Sequence, residues 1–532
     1  MNGLATLVRL ALRRNRWFYA AWILGMAAVV PATAAAYETI VGGLATTGAL
    51  DLLAENPTMR AMLGPPYDLT SPGPFTVWRV GTFMATVAGI MAILGVVRVT
   101  RADEEEGRTE LLRSGVVGRH APLTAAVVVG LLACAVLGLL VGVSMVAVGE
   151  PVVGSVAYGL GSALVPAVLV GVGAVAAQVT SSARAARGLG LAVLGAAYLL
   201  RAVADASEEG SVVRGLAWLS PVEWMALVHP YDGERWWVLL LPAALTVLLV
   251  AAAFALEGRR DHGAGLWAVR PGRDRATPAL LSVGGLVWRL QRGSLVGWFV
   301  GLAVFALGMG SLSGSFDTML ERIPRLEMML RRLGQGADTL VDAFFVAMLG
   351  IVAVLAGVLA VQLWQRLAVE EHRGHAELIL ATAVPRTRLA TAYLLLAAVG
   401  STVLFAAFGA LLGLPETLAQ GDLGPMLGSL RGALVLVPGA LLVLGLAVLL
   451  HGWAPRLSWI VWVVVGWSLF MVWVGSILGL PDWLVRLTPW EVLPALPVEE
   501  MDWTPVLAIT GAALALMAMG LWGYRRRDLR LP

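Results

Sequence analysis

Two short charged stretches stand out for their residue types and spacing. Asp103 to Leu112 reads DEEEGRTELL and Glu370 to Ile379 reads EEHRGHAELI, with Glu104 over Glu371, Gly107 over Gly374 and Glu110 over Glu377. The shared pattern is E-x-x-G-x-x-E-L. Glu105, Glu106 and Arg108 thicken the first copy and Glu370 the second, and Glu104 and Arg108 have the i, i+4 spacing of a helical ion pair. A glycine between two glutamates in both copies predicts a backbone break, at which one helix turns into a short helix along a surface. Such an element suits docking rather than bond-making. His372 and His375, beside Glu370 and Glu371, have a spacing able to hold a metal. Glu105 and Arg108 occupy those places in the first copy, so no metal site common to both is expected.

Catalytic signatures are missing. The sequence contains no lysine, which rules out an intact phosphate-binding P-loop, and it has no H-E-x-x-H and no G-x-S-x-G. No cofactor is expected on this chain, and any ATP and Mg chemistry must belong to another polypeptide.

The elements that position the two stretches are membrane spans. Hydrophobic residues make up 58% of the chain and charged residues 14%, with a mean hydropathy of +0.80. That composition predicts an all-α polytopic membrane protein. In the first half, apolar runs lie near 18–37, 76–97, 123–148, 156–179, 188–206 and 236–256. The second half gives 295–313, 340–364, 389–413, 432–452, 457–478 and 504–523. Both acidic stretches fall after the second run of a half. Twelve spans place both termini on one side. Setting that side to the cytoplasm puts most arginines inside, including Arg259 and Arg260 and Arg525 to Arg527. Before the first run, Leu4, Leu7, Val8, Ala11 and Leu12 follow the spacing of an interfacial helix.

The halves are repeats. Trp22 and Gly25 match Trp298 and Gly301, Gly138 and Gly142 match Gly409 and Gly413, Pro166 matches Pro438, and Arg259-Arg260-Asp261 recurs as Arg526-Arg527-Asp528. An even number of spans per half makes the repeats parallel, about an axis along the membrane normal. The domains are then residues 1–257, a cytoplasmic linker 258–284, and residues 285–532. Gly138/Gly142, Gly297/Gly301 and Gly409/Gly413 read as small faces for close helix packing. Two outer interfacial helices are expected, one over Thr318 to Gly334 and a twin starting at Pro57 and including Met59, Met62 and Leu63.

Aromatic and sulfur side chains concentrate in two runs, one with Phe344, Phe345, Met348 and Trp364, the other with Trp459, Trp462, Trp467, Phe470 and Met471. Belt and lipid-facing roles compete here with a path for an amphipathic solute. The only cysteine, Cys134, lies in an apolar run and excludes an internal disulfide. A net charge of +3 gives no footprint for nucleic acid.

An N-terminal interfacial helix, six spans, and an acidic loop between the second and third resemble the membrane subunits of ABC-2 type exporters. The fused twelve-span form with EEEGR after its second span resembles actinobacterial permeases of the tetronasin-exporter type, which export polyketide antibiotics. The resemblance implies a plasma-membrane permease that exports hydrophobic or amphipathic small molecules. It also implies two copies of a partner ATPase, seated on coupling helices at Glu104 to Arg108 and Glu371 to His375, with Glu110 and Glu377 alongside. It further implies a solute path along the second and fifth spans of each half, placing Phe83, Met84, Phe345, Met348, Trp462 and Phe470 on it. The alternative is a proton-coupled carrier of the major-facilitator class. Against that stands the scarcity of acids near the middle of the spans.

Overall fold

A computed structural model describes residues 3–41, 57–113, 117–207, 210–261, 263–267, 274–313, 337–471 and 487–528. Among these the secondary structure is helical, with no strand. Among the described residues, eleven helices are long and apolar enough to cross a membrane. A further apolar stretch, Pro455–Phe470, corresponds to the start of the run expected over 457–478. The protein is therefore an all-α polytopic membrane protein. Its chain folds as two compact units, Met1–Gly272 and Arg273–Pro532.

In the first unit the long helices are α1 (Leu4–Ala35), α2 (Thr82–Val99), α3 (Ala121–Ala147), α4 (Val152–Val179), α5 (Ala183–Ala206) and α6 (Leu240–Glu257). In the second they are α7 (Val283–Gly310), α8 (Ala337–His372), α9 (Arg386–Gln420), α10 (Gly424–Trp453) and α12 (Trp503–Arg526), with the shorter α11 (Ile460–Phe470) between the last two. The expected interfacial helix and first span form one continuous helix, α1, because no glycine or proline separates the amphipathic turns from the apolar ones.

Small residues set the centre of each unit. α4 is the hub of the first, carrying Gly154, Gly159, Gly161, Gly171 and Gly173 on buried faces. At Gly142 of α3 an added Cβ would lie 3.1 Å from the carbonyl oxygen of Ser155 on α4, and at Gly409 of α9 it would lie 2.7 Å from that of Ser429 on α10. The glycine pairs at 138/142 and 409/413 therefore do bring backbones together. The pair Gly297/Gly301 does not, since a Cβ at either would meet nothing within 4 Å. These two glycines open onto an apolar recess with Trp298 and Phe305.

Three long helices start on a side-chain cap. Ser182 accepts from the Ala185 amide at 3.1 Å, Ser282 from Gly285 at 3.0 Å and Asp502 from Thr504 at 2.8 Å. Of the two expected outer helices, Thr318 to Gly334 lies outside the described residues. Its twin is a helix over Pro57–Leu63. Trp78 Nε1 donates to the Gly64 carbonyl at 2.7 Å just beyond that helix, and Tyr198 donates to the Met62 carbonyl at 3.3 Å.

Candidate functional site

Each acidic stretch folds as an elbow. In the first, α2 breaks at Thr100, a short helix runs over Arg101–Glu105, Gly107 takes φ 70°, and a second short helix follows over Arg108–Arg113. In the second, α8 runs through to His372, Gly374 takes φ 73°, and a helix follows over His375–Leu380. A left-handed residue reverses the chain with no Cβ to resist it, the property anticipated for both glycines.

Glu104 and Glu371 turn inward. The Glu104 side chain is 6% exposed, forms an ion pair with Arg101 at 3.2 Å, and accepts two hydrogen bonds from Arg260 at 2.8 and 2.9 Å. The Gly263 amide donates to it at 2.7 Å. Arg260 also donates to Gln178 at the end of α4, at 2.6 Å. Glu371 repeats this: it accepts from Tyr524 at 2.7 Å and from Arg527, and His451 at the end of α10 stands 3.6 Å away. In both units Arg and Glu are separated by 156 residues. The recurring glutamates thus anchor each elbow to the chain segment that ends its own half.

The helical pairing expected between Glu104 and Arg108 is replaced by another. Arg108 donates to Asp103 at 2.9 Å and pairs with Glu106, while Arg14 of α1 holds Asp103 from the other side at 2.6 and 2.7 Å. In the twin, His375 Nδ1 meets Glu370 at 2.8 Å, and Arg366 pairs with Glu370 at 2.5 Å. Asp103 and Arg108 match Glu370 and His375 in position and in contact, so each elbow is pinned across its glycine. His372 instead places Nδ1 2.6 Å from the Ala368 carbonyl, and the two histidines serve different partners. Glu105 accepts from the Ala183 amide at 3.0 Å, which joins the elbow to the start of α5.

Glu106, Glu110, His372, Arg373 and Glu377 remain exposed. The surfaces differ in charge, since the first has Glu105 and Glu106 where the second has His372 and Arg373.

The side chains expected along a solute path separate into three environments. Phe83 and Met84 line an apolar cleft of about 350 Å³ between α1 and α2, with Trp22, Met26 and Val80. Phe345 is buried and lines a smaller cavity of mixed polar and apolar lining, and Met348, one turn along α8, is half-buried. Trp462 and Phe470 are 38% and 42% exposed.

Sequence reasoning missed Arg101, Gln178, Tyr524 and His451 as elbow partners. A signal was present in Arg260 and Arg527, which recur in step with Glu104 and Glu371.

A family model described as multidrug efflux system permease Rv1217c, C-terminal domain, matches residues 4–256 and 280–525. The chain belongs to this family. It is also 38% identical over 533 residues to the multidrug efflux system permease protein Rv1217c of Mycobacterium tuberculosis (strain ATCC 25618 / H37Rv), an alignment covering 99% of this chain and 96% of that protein. The described elbows lie within the family match, as do all the partners named above except Arg260, Gly263 and Arg527, which fall just past the ends of its two segments.

Proposed function

We propose that the chain is the membrane-spanning permease of an ATP-driven exporter in the bacterial plasma membrane. It moves hydrophobic or amphipathic small molecules outward, multidrug efflux being its broad role and polyketide antibiotics the narrower substrate class suggested by its resemblance. The chain is a transport subunit, not an enzyme. ATP and Mg are bound and used by a separate ABC ATPase, two copies of which seat on the two elbows.

The observation that carries this reading is the repeated elbow. A short helix with one exposed glutamate, Glu110 or Glu377, follows a left-handed glycine in each unit, and the glutamate before that glycine is tied to an arginine at the end of the same half. A rigidly anchored helix can pass a push from a bound partner into the bundle, whereas a free loop would absorb it. Purification from native membranes, followed by intact-complex mass spectrometry, tests the assembly. One permease with two ATPase chains is the expected mass, and a chain that retains full transport without any ATPase contradicts the proposal.

A further inference from the structure

The end of the second unit opposite its elbow holds a cavity of about 220 Å³ between α8, α9 and α10. Its wall includes Asp342, Phe345, Glu416, Gln420 and Ser429. Along α8 the distance from Asp342 to Glu371 is ~45 Å, so this site is remote from the ATPase-facing end.

Glu416 is 3% exposed, and among the described residues its partners are neutral. Gln420 Nε2 donates to one carboxylate oxygen at 2.7 Å and Ser313 Oγ to the other. No arginine or histidine among the described residues offsets its charge. Ser429 is 1% exposed, and its Oγ has no hydrogen-bond partner. Two other buried serines within helices of this unit donate back to the carbonyl four residues earlier, Ser401 to Ala397 at 2.7 Å and Ser468 to Val464 at 2.9 Å. Ser429 forgoes that bond while lining the cavity. An unmatched buried hydroxyl is destabilising, and a ligand accepting or donating there would relieve it. Phe345, 2% exposed, contributes an aromatic wall. By repeat register, Phe75 and Met145 stand in the first half where Asp342 and Glu416 stand in the second, so the repeat fold does not itself require these acids.

We propose that this cavity binds the ammonium head of a cationic amphiphile, with Glu416 as counter-ion, Ser429 as a polar contact and Phe345 as a cation-binding ring face. The chemistry matches: a desolvated carboxylate and an aromatic face both favour a weakly hydrated organic cation. The size matches as well. Sites for whole drug-sized molecules run to about 300–1,000 Å³, so this one takes a head group and leaves the apolar tail among the helices. The inference deepens the export reading and rests on it.

The test uses the full chain in lipid nanodiscs and a matched pair of fluorescent probes, a dansyl-alkyl trimethylammonium and its uncharged neopentyl isostere. The wild type should bind the charged probe more tightly. Glu416→Gln removes the charge at nearly the same shape, keeping one acceptor oxygen while Ser313 or Gln420 turns to accept from the new amide, and should weaken the charged probe about tenfold while leaving the neutral one within about twofold. Ser429→Ala and Phe345→Leu should each weaken the charged probe severalfold, and they carry the test if Glu416→Gln does not fold. Equal binding of the two probes by the wild type, or equal losses for both in the variants, would overturn the site. The export reading is judged separately by whether the neutral probe stimulates ATPase in the complex. That can succeed while the ammonium site fails, and the reverse outcome is equally readable.

Discussion

Glu104 shows how a residue's role depends on what lies far from it in the chain. Removing its carboxylate leaves Arg101 and Arg260, 1% and 9% exposed, without their shared counter-charge. Breaking a buried pair from one side costs roughly 3–5 kcal/mol, so Glu104→Ala should lower the melting temperature in detergent by several degrees. Glu371→Ala, whose partner Arg527 is 17% exposed, should cost ~1–3 kcal/mol. By contrast Glu110→Ala and Glu377→Ala, on exposed positions, should stay within about 0.5 kcal/mol of wild type. Thermal scans of the four variants check this, and a flat result for Glu104 would remove its anchoring role. A second residue with a calculable response is Glu223, buried between α5 and the outer loops. Burial, and then the nearby Asp205 carboxylate, push it from the usual 4.5 up to about 8. Folded chains therefore hold a proton there that unfolded chains release from about pH 4.5 upward, so stability falls as pH rises from there and levels off above about pH 8. Glu223→Gln should flatten that slope in melting curves taken from pH 5 to 9. The E-x-x-G-x-x-E-L pattern was legible in sequence, but the inward turn of its first glutamate was not, because Arg260 and Arg527 come near only after a half is folded.

At the scale of elements, the elbows work because a left-handed glycine is followed directly by a short helix. An alanine Cβ at Gly107 or Gly374 would touch nothing within 4 Å, so the cost of substitution is backbone strain alone, about 1–2 kcal/mol. Gly374→Ala should accordingly lower ATPase stimulation through a displaced helix, and Gly374→Asn, which tolerates this conformation better, should retain more of it. Equal behaviour of the two variants would show that the turn's geometry is immaterial. The span positions were readable because apolar length is a one-dimensional property. The Gly297/Gly301 spacing misled for a physical reason: a small-residue face only marks packing when a second helix arrives there, and among the described residues of its own unit none does. Nor does spacing reveal that Ser429 withholds its hydroxyl from the helix backbone, a fact fixed by three-dimensional surroundings.

At the scale of the whole molecule, one chain supplies two elbows of similar backbone and different charge. On the proposed function, two ATPase copies docking on them would meet an acidic surface at Glu105 and Glu106 and a basic one at His372 and Arg373. Single charge reversals at Glu110 and at Glu377 should therefore reduce coupling by unequal amounts. The internal repeat was visible in sequence because corresponding residues, such as Pro166 and Pro438, keep the same order along each half. The most direct measurement is substrate-stimulated ATPase of the reconstituted complex carrying Glu110→Arg and Glu377→Arg together. Coupling through the elbows predicts an unchanged melting temperature, unchanged probe binding and a loss of stimulation of about tenfold or more. Full stimulation by that double variant would contradict it.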